Sequence, residues 1–170
     1  MIFVTVGTHE QPFNRLLEYI DDMVEKRQIK EDLVVQKGYT DYMPKNYKAE
    51  KLLPYEQVQR DIDEARIVIT HGGASSFIAV LAAGKIPIVI PREKKFGEHV
   101  NDHQLEFAKE VEKRRKNIIV VRTEEELADA ILNYDKKIEK LNTDGQSNNA
   151  KFVEGLEKEI KDLFARKGKA

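Results

Sequence analysis

Short apolar runs alternate along the chain with stretches in which apolar residues return every three or four positions, so strands and helices are predicted in turn. Ile2 to Val6 (IFVTV) is apolar or β-branched throughout and ends at Gly7, the pattern of a parallel strand covered on both faces. After Thr8, His9 and Pro12, the spacing of Phe13, Leu16, Leu17, Ile20 and Val24 predicts a helix with one buried stripe. Leu33 to Gln36 is the next strand, closed by Gly38. The stretch Tyr39 to Asn46, polar and rich in tyrosine with Pro44 inside it, reads as a loop whose tyrosines serve packing.

Ala49 to Leu53 predicts a short strand ending at Pro54, and Val58, Ile62 and Ala65 mark a helix that leads into a strand at Ile67 to Thr70. Ile86 to Ile90 and Asn117 to Val121 are further buried strands, separated by a helix carrying Leu105, Ala108 and Val111. Thr123, with Glu126 three positions on, forms a capping box for a helix bearing Leu127, Ala130 and Ile131. Strands that alternate with helices imply right-handed crossovers and a doubly wound parallel α/β sheet. The sheet pattern fills residues 1–145. Residues 146–170 follow a polar break around Gly145 and place Phe152, Leu156, Ile160, Leu163 and Phe164 on one helical face. That last helix is expected either to fold onto its own sheet or to dock on a second chain.

The chemistry concentrates at Ile67 to Gly84 (IVITHGGASSFIAVLAAG), where a strand turns through His71, Gly72, Gly73 and Ala74 into a helix. Glycines allow a ligand to approach the backbone, and Ser75 and Ser76 are expected to satisfy N–H groups of the first helical turn. Free N–H groups and the positive end of the helix dipole make such a turn a phosphate site, although glycines there also serve plain strand–helix packing. Pro91 and Arg92 then open a polar loop with Lys94, Lys95, Glu98, His99, Asp102, His103 and Gln104. That loop leaves the C-terminal end of a parallel strand, the edge where open α/β sheets bind ligands.

Composition narrows the partners. With 29 Lys and Arg against 30 Asp and Glu in 170 residues, a net charge of −1 gives no global attraction to nucleic acid or to an anionic membrane. There is no cysteine, hence neither a disulfide framework nor a thiolate metal site. No secretory pattern opens the sequence, and its apolar runs fall short of the roughly 20 residues that span a bilayer, so the chain is expected in the cytoplasm.

Four stretches taken together, FVTVGT at Phe3, ITHGGASS at Ile69, AAGKIPIVIPR at Ala82 and FGEHVNDHQLEFA at Phe96, resemble the C-terminal, nucleotide-sugar-binding half of glycosyltransferase family 28 enzymes. The likeness is to the small, separately encoded donor-binding subunit of bacterial capsule and exopolysaccharide glycosyltransferases. More distantly, it is to the cytosolic subunit of the eukaryotic dolichol-linked N-acetylglucosaminyltransferase. The resemblance implies a Rossmann-like domain equivalent to the C-terminal half of a GT-B enzyme. It further implies an inverting transfer from a UDP-sugar to a polyprenyl-diphosphate-linked sugar, and a membrane-anchored, acceptor-binding partner that recruits the chain to the inner face of the membrane. Alone, such a chain could pair with a second copy of itself.

Carried over by position, the resemblance places the diphosphate at Gly72, Gly73, Ala74 and the Ser75–Ser76 helix start, with His71 and Arg92 beside it, and donor-sugar hydroxyls at Asp102 and Gln104. Gly7 and Thr8 would face phosphate or acceptor, with His99 and His103 on the neighbouring loop. Relatives commonly carry a ribose-binding Glu on the helix after the glycine turn, where this chain has Ala79; backbone near Pro54 and Tyr55, or the side chain of Glu98, is expected to substitute. The chemistry implied needs no metal and no cofactor, although the chain's four histidines sit near loop edges. His9, on the first loop, is the candidate general base, and a base from the partner is the alternative. A non-catalytic UDP-binding domain on the same scaffold is the competing reading.

Overall fold

The structure, a computed structural model, describes residues 1–141; the connector and amphipathic helix expected beyond them lie outside the described residues. Five strands, β1 (Ile2–Thr5), β2 (Leu33–Gln36), β3 (Ile67–His71), β4 (Ile88–Ile90) and β5 (Ile119–Val120), form one parallel sheet in the order β2-β1-β3-β4-β5. Helices α1 (Asn14–Glu25), α2 (Tyr55–Glu64), α3 (Ala74–Ala82), α4 (His103–Arg115) and α5 (Glu124–Leu132) connect or follow the strands, and α6 (Tyr134–Leu141) comes last. The doubly wound α/β sheet expected from the alternation is the fold observed.

The apolar strands follow from burial on two sides. Alternate residues point to opposite faces of a strand, so Ile2 and Val4, Ile67 and Ile69, and Ile88 and Ile90 pack with Leu16, Leu17 and Ile20 of α1 and Leu127 and Ile131 of α5. Phe3 and Val68 face the other way, onto Ile62 of α2 and Val80 of α3. Val89 does the same onto Phe77, Leu81, Ala108 and Val111 of α3 and α4. Both faces are covered, which is why these strands show no alternation in sequence, and their polar residues, Thr5, Gln36, Thr70 and His71, gather at the C-terminal ends.

Three local expectations shift. Along α1 the fully buried residue in the last turn is Met23, whereas Val24 packs only partly against the core, because the stripe turns with the helix. Ala49 to Leu53 is no regular strand: it runs along the β2 edge with one isolated bridge, Gln36 to Glu50, and backbone hydrogen bonds joining Glu50 and Lys51 to Val35, Lys37 and Gly38, while Glu50, Lys51 and Leu52 stay exposed. Helix α6 was not anticipated; it is a short stripe that anchors through the Tyr134 hydroxyl donating to the Ile86 carbonyl at 2.6 Å. The capping box is present as expected, with the Thr123 hydroxyl accepting from the Glu126 N–H at 3.2 Å and Glu126 returning a carboxylate to the Thr123 N–H.

The loop after β2 is held by α1. Asp21 is buried and accepts from the Tyr42 hydroxyl at 2.7 Å and from the N–H groups of Lys45 and Asn46, each at 2.9 Å, while the Tyr47 hydroxyl donates to the Leu17 carbonyl at 2.9 Å. Two of the loop's tyrosines therefore serve packing. From β1 the chain winds first to β2 and then back across to β3, so the connections leave β1 and β3 in opposite directions and open a crevice at their C-terminal ends.

Candidate active site

A cleft of about 570 Å³ occupies that crevice. Its floor comes from the ends of β1 and β3 (Thr5, Gly7, His71), one wall from α3 (Ser75, Ser76, Ala79, Val80) and the opposite wall from α2 (Tyr55, Val58, Gln59, Ile62). Thr8, His9 and Gln104 stand at its mouth side, and none of its lining side chains is Asp, Glu, Lys or Arg. A second hollow of about 360 Å³ lies across Gln104, between the glycine turn and His99, His103 and Phe107.

The two glycine positions that matter most are explained by one imidazole. His71 ends β3 with 8% of its surface exposed and fits between the two backbone turns. A Cβ on Gly7 would fall 2.4 Å from its Cε1, and one on Gly73 would fall 2.3 Å from its Nε2. Gly7 also has φ of +75°, which a side chain would strain in any case. Burial pushes the His71 pKa down to about 3, with the Arg92 charge acting in the same direction, so the imidazole is neutral around pH 7. Its Nδ1 is buried without a hydrogen-bond partner. Gly72 serves packing, because a Cβ there would meet Gln104 Cβ at 2.9 Å and Pro91 Cα at 3.0 Å.

Helix α3 begins at Ala74, one residue after its N-cap Gly73, and no side chain caps it. Ser75 and Ser76 therefore do not close the helix end as expected; they lie inside the first turn and line the cleft instead. The positive end of α3 lies between the two hollows, Gly73 and Ala74 bordering the smaller and Ser75 and Ser76 the cleft, an arrangement that favours an anion.

The loop from β4 to α4 splits the expected residues into two groups. His99 and Gln104 come to the cleft region with His9: the His9 and His99 rings lie 5.1 Å apart between centroids. Gln104 Oε1 accepts from the Arg92 N–H at 3.2 Å, leaving its amide N–H groups uncommitted. His9 is pushed below its ordinary pKa by burial, by Arg92 and by His99, against a raising contribution from Glu10. Asp102 lines neither hollow and accepts the Lys94 N–H at 2.8 Å, and His103 is exposed beside Glu106 at 3.9 Å while bordering the smaller hollow.

Arg92 and Glu98 depart from the expectation that they meet the donor. Glu98 is buried and bound by Arg15, Nε to Oε1 and Nη2 to Oε2 at 2.8 Å each, and it also accepts the Glu93 N–H at 2.9 Å. Arg92 has no exposed surface and donates to backbone carbonyls. The interior pairing leaves Glu98 unable to replace a ribose-binding carboxylate.

Gln36 and Gln59 belong to the cleft and were not anticipated, while Tyr55, expected near the ribose through its backbone, lines it as well. Gln36 spans it from below, donating from Nε2 to Thr5 Oγ1 at 3.1 Å and accepting the Leu53 N–H at 3.0 Å. A lone polar residue ending an apolar strand was the signal available for it. Tyr55, Val58, Gln59 and Ile62 share one face of α2, at spacings that the sequence does display. Among the described residues no three His, Asp or Glu side chains assemble as metal ligands, and no helix is long and apolar enough to cross a membrane.

Residues 1–160 match the profile of the glycosyltransferase family 28 C-terminal domain. The chain belongs to that family. The family 28 domain is 31% identical over 121 residues to the UDP-N-acetylglucosamine transferase subunit ALG13 of Homo sapiens, a match covering 66% of this chain and 10% of the relative. To the Mus musculus protein of the same name it is 34% identical over 123 residues, covering 65% of this chain and 10% of the relative. The domain thus spans about a tenth of the length of these curated relatives. In fold it is similar to the glycotransferase of kitacinnamycin, with TM-score 0.57 at 17% identity over 87% of this chain and 39% of the other. It is also similar to the glycosyltransferase SnogD from Streptomyces nogalater, with TM-score 0.50 at 17% identity over 89% of this chain and 42% of the other. Both cover less than half of the larger enzyme, so this Rossmann-like domain corresponds in extent to one part of such a chain.

Proposed function

We propose that this domain is the donor-binding half of an inverting glycosyltransferase, which moves a sugar from a UDP-sugar to a polyprenyl-diphosphate-linked acceptor in capsule or exopolysaccharide assembly. A membrane-anchored subunit would bring the acceptor site and hold the domain at the membrane. The observation that carries the reading is the uncapped N-terminus of α3 opening onto a cleft at the switch point between β1 and β3, in a chain of glycosyltransferase family 28. The name of the ALG13 relatives, a subunit of a UDP-sugar transferase, supports both the donor class and the need for a partner.

In this reading the diphosphate meets the N–H groups at the start of α3, beside Gly73, Ala74 and Ser75, and the uridine extends between α2 and α3 past Ala79. The sugar lies toward Gln104. Transfer makes a bond from an acceptor oxygen to the anomeric carbon as the bond from that carbon to the β-phosphate oxygen breaks, with UDP leaving. The acceptor proton goes to a base; His9, exposed at the cleft mouth and held neutral around pH 7, has the state a base needs, and a base from the partner is the other source.

Calorimetric titration with UDP, UMP, NAD and FMN tests the binding half of the proposal, which requires selective binding of UDP. Turnover of UDP-sugars by the domain co-expressed with its membrane subunit tests the catalytic half. Tight UDP binding with no turnover in any such complex would favour a non-catalytic UDP-binding domain.

A further inference from the structure

Among the described residues Arg92 is the most enclosed charged side chain, with 0% of its surface exposed. Its guanidinium donates to the carbonyls of Gln11 at 2.6 Å, Val6 at 2.9 Å, Glu98 at 3.2 Å and Pro12 at 3.4 Å, and it lies 4.9 Å from the Phe13 ring centroid. None of these partners carries a negative charge. The carboxylate that acts on it, Glu98, offsets part of the charge from a distance but is chelated by Arg15 and makes no side-chain bond to Arg92, whose Nε has no partner. Burial pulls the Arg92 pKa down to about 10, which still leaves a full cation around pH 7.

An enclosed charge without a counter-ion is costly, and buried ions are ordinarily paired. If tying the first loop to the β4–α4 loop were the whole role, a neutral donor could serve and the penalty would be avoided. The charge instead lies where it acts on the cleft: after burial, Arg92 is the largest influence holding both His71 and His9 unprotonated, and both line the cleft. The cleft offers no Lys or Arg of its own to an anion. A low-dielectric setting lets a cation beneath the floor reach a ligand that it does not touch.

We propose that Arg92 is an electrostatic positioning residue: an enclosed, unpaired cation that attracts the phosphates of the ligand from beneath the cleft while fixing the two loops that carry His9 and His99. The proposal rests on the nucleotide-sugar reading of the cleft. It assigns the positive charge needed by a diphosphate to a side chain that never meets it.

The test compares the wild-type domain with Arg92→Lys, which keeps the charge and loses the fork, and Arg92→Met, which loses both. Calorimetry with UDP and with uridine, which lacks the phosphates, separates charge from shape. Arg92→Met is expected to weaken UDP by about tenfold or more while leaving uridine nearly unchanged, and Arg92→Lys is expected to recover most of the loss. Equal losses for UDP and uridine, or a lysine variant as weak as the methionine one, would reduce Arg92 to a structural tie and overturn the proposal. An NMR titration of His9 in the unliganded domain gives a readout independent of the nucleotide. Its midpoint should rise in Arg92→Met and stay low in Arg92→Lys, and a midpoint that ignores the charge overturns the proposal even if UDP is not the ligand. Failure of the wild type to bind UDP with the His9 response intact would instead strike the nucleotide reading. Should Arg92→Met not fold, Arg92→Gln, which also removes the charge, takes its place: a raised His9 midpoint with weakened UDP supports the proposal, and an unchanged midpoint overturns it.

Discussion

The imidazole of His71 fills the space that a side chain at Gly73 would need: a Cβ there would fall 2.3 Å from its Nε2. Gly73 has φ of −70° and ψ of 126°, a conformation open to any residue, so the collision with His71 is the obstacle and not the backbone. The glycine is thus required by the protein's own interior before any phosphate arrives. Gly73→Ala should destabilise the domain by roughly 1–3 kcal/mol, and most of that penalty should vanish in a His71→Ala background. Urea denaturation of the two single variants and the double variant closes the cycle. An alanine penalty that persists without the imidazole would place the obstacle elsewhere.

Because His71 is held near pKa 3 when folded and returns to an ordinary 6.5 when unfolded, the unfolded chain binds the extra proton between those values. Stability should therefore rise with pH from about 3 to 6.5 and level off above, with a slope from this group on the order of 1 kcal/mol per pH unit inside the window. Denaturation midpoints at pH 5 and pH 7 check it. The wild type should lose stability at pH 5, and His71→Asn, which cannot titrate, should show a smaller drop between the same two pH values.

The sheet was legible because the central strands run apolar on both faces up to their C-terminal ends, a pattern that a strand covered on both faces requires, and Thr123 with Glu126 announced α5 by local chemistry alone. The cleft was legible as far as it depends on chain order: a Gly-Gly turn between a strand and a helix must lie at the C-terminal edge of a parallel sheet. What escaped depends on contacts distant in sequence. Nothing local says that Arg15, inside a helix next to Leu16 and Leu17, will reach Glu98 and withdraw it from the ligand. Likewise Gly7 and Gly73 read as two separate turns until His71 is seen to lie between them. Helix α6 escaped because Tyr134, Ile138 and Leu141 are few among lysines and glutamates.

Glu98→Gln should damage the fold far more than ligand binding. Arg15 and Glu98 are 8% and 4% exposed, and removing one charge leaves the other buried without its partner, a loss of about 3–5 kcal/mol. Thermal melting together with UDP titration at a temperature where the variant is folded separates the two effects. A well-folded variant with a large loss of UDP affinity would return Glu98 to the ligand and contradict its interior pairing.

Gln104 borders both hollows, and its two ends have different tasks. Its Oε1 accepts the Arg92 N–H at 3.2 Å, holding the start of α4 against the end of β4, while its amide N–H groups remain available to a donor-sugar hydroxyl. Gln104→Glu keeps an acceptor for the Arg92 N–H and loses the donor, whereas Gln104→Ala loses both but retains the Cβ that packs near Gly72. Both variants should weaken a complete UDP-sugar by roughly 1–3 kcal/mol more than they weaken UDP, since the sugar hydroxyl is left without its partner. Calorimetry with the two ligands measures the difference directly. If both ligands weaken equally in Gln104→Ala and neither weakens in Gln104→Glu, the residue acts only through the Arg92 N–H, and the sugar is held by another group.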